Sequence, residues 1–171
     1  MKAIIAMTEE GGMGYKGNLP QWNVSGDLLR FKRFTENRII VMGSNTFFSL
    51  PESKRPLPKR TNIVITRHPE DAKFEKYREC PHVHLTTIER FMVDYKAIFN
   101  DIIVIGGPTL IATLYPYIYQ MDVTIIKGRY ECDVFFESFK DLLTWTTSIN
   151  EDCSDYVRLI FSRTIYIKPY G

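Results

Sequence analysis

The hydrophobic residues of this chain gather in five short, unbroken runs: Ala3–Met7, Ile39–Met42, Asn62–Thr66, Ile102–Ile105 and Val123–Ile126. Alternating apolar and polar residues mark a strand with one face in water. Continuous Ile- and Val-rich runs mark strands covered on both faces. Such a sheet needs helices on either side, and the intervening segments supply them. Asp27–Glu36 sets Leu28, Phe31 and Thr35 on one face, and Ser44–Leu50 is a shorter helix. Thr87–Phe99 carries Ile88, Phe91, Met92 and Tyr95 at helical spacing, and Pro108–Leu114 begins with proline where a first-turn N–H has no partner to lose. Thr144–Ile149 and Tyr156–Ile167 alternate and read as an antiparallel hairpin. The order predicts an α/β fold: a mostly parallel mixed sheet flanked by helices, closed by a C-terminal antiparallel hairpin. No repeat, low-complexity tract or linker divides it, so residues 1–171 read as one domain.

Composition narrows the function. A net charge of +2 is too small for a dedicated nucleic-acid binder but allows an anionic small molecule held by a few local cations. Cys80, Cys132 and Cys153 are odd in number and fit neither a disulfide framework nor a metal site, so reduced thiols in the cytoplasm and no metal are expected. A first strand starting at Ala3 leaves no room for a signal peptide, and no apolar run approaches the ~20 residues of a membrane helix.

In open α/β sheets ligands collect at the carboxyl ends of strands. Three such ends suit anions. Gly106-Gly107-Pro108-Thr109 leads from a strand into a helix, Gly43-Ser44-Asn45-Thr46 does the same, and Arg67-His68 places a cation at a third end. Glycines admit close approach, and helix N-termini offer free N–H donors. Three anion sites suit a dinucleotide with an extra phosphate. Gly12-Met13-Gly14-Tyr15-Lys16-Gly17 also satisfies G-x-G-x-x-G, but it runs into Asn18-Leu19-Pro20 rather than a helix. It is read as a mobile loop, not a dinucleotide fingerprint. Asp27 opens a helix with an apolar face. Alone it is a common helix-start acid; beside Leu19-Pro20-Gln21-Trp22-Asn23 it is a carboxylate facing aromatic and aliphatic groups, suited to a flat hydrogen-bonding heterocycle.

These segments together resemble the dihydrofolate reductase family. The carriers are Gly14…Leu19-Pro20-Gln21-Trp22, Asp27-Leu28-Leu29-Arg30-Phe31-Lys32, Met42-Gly43-Ser44-Asn45-Thr46-Phe47, Pro56-Leu57-Pro58-Lys59-Arg60, Ile105-Gly106-Gly107 and Thr124, in the family's order over roughly the whole chain. The resemblance implies NADPH-dependent reduction of dihydrofolate to tetrahydrofolate. Hydride would go to C6 and solvent would assist protonation of N5. The protein would be a monomer inhibited by antifolates, without nucleic-acid or membrane partners.

It implies roles as well. Asp27, Trp22 and Thr124 would be catalytic, Asp27 gripping the pterin's 2-amino group and N3, Thr124 bonded to it and Trp22 ordering a water. Ile5, through its carbonyl, and Met7, Leu28, Phe31, Leu50, Leu57 and Ile105 would surround the pterin, and Arg60 would pair with the glutamate tail. Met7, Met13, Leu19, Gly43, Ser44, Thr46, Gly106, Gly107, Thr109 and Leu110 would hold NADPH, with Thr66 and Arg67 at its 2′-phosphate. The loop from Gly11 to Trp22 would close over the nicotinamide, and the Gly106–Gly107 peptide would be cis. The chain departs from the family pattern at Gln21, inserted before Trp22, at Ser44 where a basic residue is common, at Ile111 for a frequent tyrosine, and at Met7 for a smaller residue. Two rival readings are the riboflavin-pathway reductase, which lacks the L-P-W…D signature, and a non-catalytic binding or structural module on the same fold.

Overall fold

The structure, a computed structural model, describes residues 1–20, 22 and 24–165. Gln21 and Asn23 of the expected pterin loop, and the Tyr166–Ile167 end of the last expected strand, lie outside the described residues. In chain order the elements are β1 (Lys2–Thr8), β2 (Gly12–Gly14), α1 (Ser25–Thr35), β3 (Ile39–Gly43), α2 (Ser44–Ser49), β4 (Thr61–Ile65), α3 (Glu75–Arg78), β5 (Val83–Thr86), α4 (Ile88–Asp94), β6 (Ile102–Gly106), α5 (Pro108–Leu114), β7 (Gln120–Ile126), β8 (Val134–Phe135), α6 (Phe139–Leu142), β9 (Thr146–Asp152) and β10 (Tyr156–Ser162). Eight strands form one sheet in the order β5-β4-β3-β6-β1-β7-β10-β9. The first six run parallel, and β10 lies antiparallel to both β7 and β9. The five continuous runs are the five central parallel strands, and the hairpin closes the sheet as expected.

Strand alternation splits the core into two layers. Ala3, Ile5, Met7, Val41, Ile63, Val104 and Val123 point to one side, where α4, α5 and Trp145 cover them. Ile4, Ile40, Met42, Val64 and Ile103 point to the other, under α1, α2 and Phe74. Both faces are dry, which is why these strands show no polar alternation.

Three expectations shift. The strand expected over Tyr156–Ile167 ends at Ser162, and residues 163–165 are irregular. The helix expected over Thr87–Phe99 ends at Asp94, and residues 96–101 continue as 3-10 turns with a non-helical Ile98. The edge strand β5 was not legible, because Val83-His84-Leu85-Thr86 is half polar and carries no continuous run. The connections matter for function. β1 and β3 lead to α1 and α2 on one face, whereas β6 between them leads to α5 on the other. The chain therefore leaves a crevice at the carboxyl end of β6, which is where ligands bind in such sheets.

Candidate active site

Gly106 and Gly107 sit at that crevice. Their peptide is cis, as expected, and Gly106 holds a φ of +131°, which a side chain would disfavour. Gly43 ends the neighbouring strand β3, and a Cβ there would come 3.9 Å from the Gly107 nitrogen. A Cβ on Gly107 would meet Thr46 Oγ1 at 3.0 Å. Gly43, Thr46, Gly106 and Gly107 thus form one cradle whose floor is bare backbone, with α2 and α5 both starting from it. Ser44 is the first residue of α2, and Thr109 stands exposed at the start of α5. Leu110 is buried behind it, in the layer that also holds Met7, Ile111 and partly buried Met13.

One strand further out, Thr66 and Arg67 follow β4. An open cleft there is lined by Arg67, Arg78 and Arg90, with one carboxylate, Glu70, and with Leu85 and Thr87. Arg78 is committed to Glu75 and to the carbonyls of Glu70 and Asp71. Arg67 and Arg90 have no side-chain hydrogen bond among the described residues. Sequence reasoning missed Arg90, because only the edge strand β5, itself unseen, brings α4 beside β4. Two other basic residues nearby in the chain are engaged elsewhere: Lys59 pairs with Glu36 at 3.3 Å, and Arg55 bonds Tyr77 Oη at 2.7 Å and the Phe48 carbonyl at 2.8 Å.

On the opposite side of the crevice, α1 lies over β7. Asp27, in the first turn of α1, accepts a 2.6 Å hydrogen bond from Thr124 Oγ1, although the two residues are 97 positions apart. Burial pushes the Asp27 carboxyl above the ordinary carboxylate range; the Thr124 hydroxyl and the charge of Arg30 pull it partway back. The cation is Arg30, one turn along the same helix. Half-buried Phe31, Leu50, Leu57 and Ile105 pack together against the α1 layer of the core. Leu28 stands 71% exposed beside Asp27. The side chains of Ile5 and Met7 point the other way, into the α5 layer, so of the expected pterin walls these two offer the α1 side their backbone only.

The loop bearing Leu57 is pinned by Asn62, fully buried on β4. Its Oδ1 accepts from Leu57 N at 3.1 Å, and its Nδ2 donates to the Leu57 and Arg60 carbonyls, each at 3.0 Å. A polar residue inside an apolar strand was the signal that could have found it. Arg60 is 6% exposed. It donates to Pro58 O at 2.6 Å, to Lys32 O at 3.0 Å, and twice to Thr35 Oγ1 at 3.2 and 3.0 Å. Four of its five N–H donors are therefore used within the protein, and one Nη1–H is left for a ligand.

Trp22 is half-buried and packs edge-on against Tyr130 at 5.9 Å between ring centroids. Leu19 is 67% exposed. The Gly12–Gly17 segment, expected to be a mobile loop, is tied down at two points. β2 pairs with β8, and Lys16 N donates to Asp133 Oδ2 at 2.8 Å.

Comparisons with known proteins identify the family and the fold. Residues 1–164 match the model of the dihydrofolate reductase family. The chain is 32% identical over 148 residues to a dihydrofolate reductase of Drosophila melanogaster, covering 81% of this chain and 79% of that protein. It is 33% identical over 138 residues to one of Bacillus subtilis, covering 81% and 76%. Among solved structures, the dihydrofolate reductase of Enterococcus faecalis complexed with NADP(H) and RAB-propyl superposes with a TM-score of 0.74 at 28% identity, covering 95% of each chain.

Proposed function

The chain belongs to the dihydrofolate reductase family, and from that premise we propose that it reduces 7,8-dihydrofolate to 5,6,7,8-tetrahydrofolate with NADPH, by hydride transfer to C6 and solvent-assisted protonation of N5. The observation that carries this reading is the hydrogen bond from buried Thr124 to half-buried Asp27, on the same side of the sheet as Phe31, Leu50, Leu57 and Ile105. A flat pterin fits against such an apolar wall, and its 2-amino group and N3–H match the two oxygens of an ionised carboxylate. Arg60 takes the glutamate tail through its one uncommitted Nη1–H, a single bond, because its other donors are held within the protein.

The cradle fits NADPH. Bare backbone at Gly43, Gly106 and Gly107 admits a diphosphate, and Thr46 offers a hydroxyl beside it. Met7, Met13 and Leu110 form one apolar layer beneath, suited to the nicotinamide. Arg67, with Thr66, reads the 2′-phosphate, helped by Arg90 across the cleft. When bound, NADPH supplies the hydride. The protein's part is alignment, charge and exclusion of water. Asp27 orients and polarises the pterin, Trp22 orders a water near it, and the Gly11–Trp22 loop closes the site.

The chain works as a single-domain monomer in the cytoplasm, without nucleic-acid or membrane partners. Its cysteines are free thiols, and no described helix is long and apolar enough to cross a membrane. The deciding assay follows NADPH oxidation by purified protein, which should require dihydrofolate and stop with an antifolate such as methotrexate. A folded protein that binds NADPH but turns nothing over would favour the non-catalytic module.

A further inference from the structure

Three charged residues the mechanism does not use lie directly behind Asp27. Asp122 and Thr124 are two apart on β7 and so face the same side of the sheet, toward α1. Asp27 and Arg30 are three apart on α1 and so share one face of the helix. The two pairs make parallel rungs: Asp27 to Thr124, and Arg30 Nη2 to Asp122 Oδ2 in a close ion pair. Arg158 stands opposite Thr124 in the β10–β7 register and grips Asp122 with both prongs, Nε to Oδ1 at 3.3 Å and Nη2 to Oδ2 at 3.2 Å. Asp122 is 2% exposed.

We propose that Arg30, held in place by Asp122 and Arg158, is a positioning residue for the reaction: it fixes how α1 presents Asp27 and favours the ionised form of that carboxylate. Two features argue against a merely structural ion pair. Asp122 is already gripped by the two-pronged Arg158, so Arg30 adds a second cation at that one carboxylate, with Glu151 the other anion nearby. Arg30 Nε and Nη1 are also buried without a hydrogen-bond partner. An anchor needs no such cost, since an apolar side chain would fill the space without it. A cation that is largely buried, with a side chain 14% exposed, acts more strongly on a neighbouring carboxylate than one in open water. The charged or titratable groups facing this region are Arg30 and Arg33 on α1, Asp122 on β7, Arg158 and Tyr156 on β10, and Glu151 on β9. Burial and Arg158 push the Arg30 guanidinium down to about 10, so it remains charged at neutral pH. Gly26 allows this close docking, because a Cβ there would meet Tyr156 Oη at 3.1 Å.

The inference rests on the assignment of Asp27 to the pterin, and its test separates the two. The Asp27 carboxyl is titrated by carbon-13 NMR in ligand-free protein, with Asp27→Asn providing the assignment, and the pH–rate profile of hydride transfer is recorded alongside. Arg30→Gln should raise the titration midpoint by about one unit, Arg30→Lys should leave it near wild type, and Asp122→Asn, which releases the field of Arg30, should lower it. The Asp27-dependent limb of the rate profile should move with the midpoint. A midpoint unmoved by Arg30→Gln, or moved upward equally by Arg30→Lys, overturns the proposal; the Arg30 pair decides even if Asp122→Asn does not fold. Full activity in Asp27→Asn would instead overturn the assignment of Asp27, whatever the midpoints do.

Discussion

Thr35 touches no ligand in the proposed mechanism, yet its hydroxyl holds the tail-binding arginine. Oγ1 donates to the Phe31 carbonyl at 2.7 Å and accepts from both Nε and Nη2 of Arg60, at 3.2 and 3.0 Å. Thr35 is fully buried and Arg60 nearly so. Thr35→Val keeps the shape and removes the hydroxyl, stranding two N–H donors of a charged group. Each stranded buried donor costs about 1–3 kcal/mol, and the low end applies where relaxation recovers part of the bond. Together with the lost bond to Phe31, the expected loss is about 3 kcal/mol. For a chain of this size that is a fall in Tm of roughly 9 °C, at about 3 °C per kcal/mol. Urea unfolding followed by circular dichroism measures the first quantity. The second consequence is functional: a guanidinium no longer locked loses aim, so dihydrofolate should bind about tenfold more weakly, while a pterin without the glutamate tail should bind as before. A stability loss below about 1 kcal/mol would refute the hydrogen-bond accounting. Equal weakening of both ligands would refute Arg60 as the reader of the tail.

Arg67→Ala and Arg90→Ala should each reduce the preference for NADPH over NADH by about tenfold or more, as expected for losing a charge-assisted bond, and Lys59→Ala should not; kcat/KM for the two cofactors measures this. Gly107→Ala puts a Cβ 3.0 Å from Thr46 Oγ1, so NADPH affinity measured by fluorescence should fall, and adding Thr46→Ala should recover fold stability but not affinity. Asp27→Asn should lower single-turnover hydride transfer by orders of magnitude at neutral pH, with partial recovery in acid, and leave NADPH affinity nearly unchanged. The same variant should stabilise the fold. Burial raises the folded-state pKa of Asp27, so stability from the neutral carboxyl is fully present below the ordinary carboxylate range and fades as pH rises through the raised value. Its gain in Tm over wild type should therefore be largest at neutral and alkaline pH and vanish in acid.

The central sheet was written in the sequence because burial on both faces leaves a local signature: Ile39–Met42 and Ile102–Ile105 need no knowledge of their neighbours to read as covered strands. The glycine turns after them were legible for the same reason, since backbone freedom and helix starts are local properties. Asp27 and Thr124 were named through resemblance to a family pattern; nothing in either segment says that they touch across 97 residues. What only the tertiary structure decided is what depends on strand order and packing angle. The order put β4, β3 and β6 side by side, turning three separate anion-ready ends into one surface, and β5 brought Arg90 to Arg67. The facing of β1 sent the Met7 side chain into the α5 layer, away from the expected pterin wall, because strand parity sends residues 5 and 7 to the side opposite residue 4. The stacking of α1 on β7 and β10 gathered Arg30, Asp122 and Arg158 behind Asp27. Charge interactions of that kind join residues far apart in the chain, and periodicity along a sequence carries no trace of them.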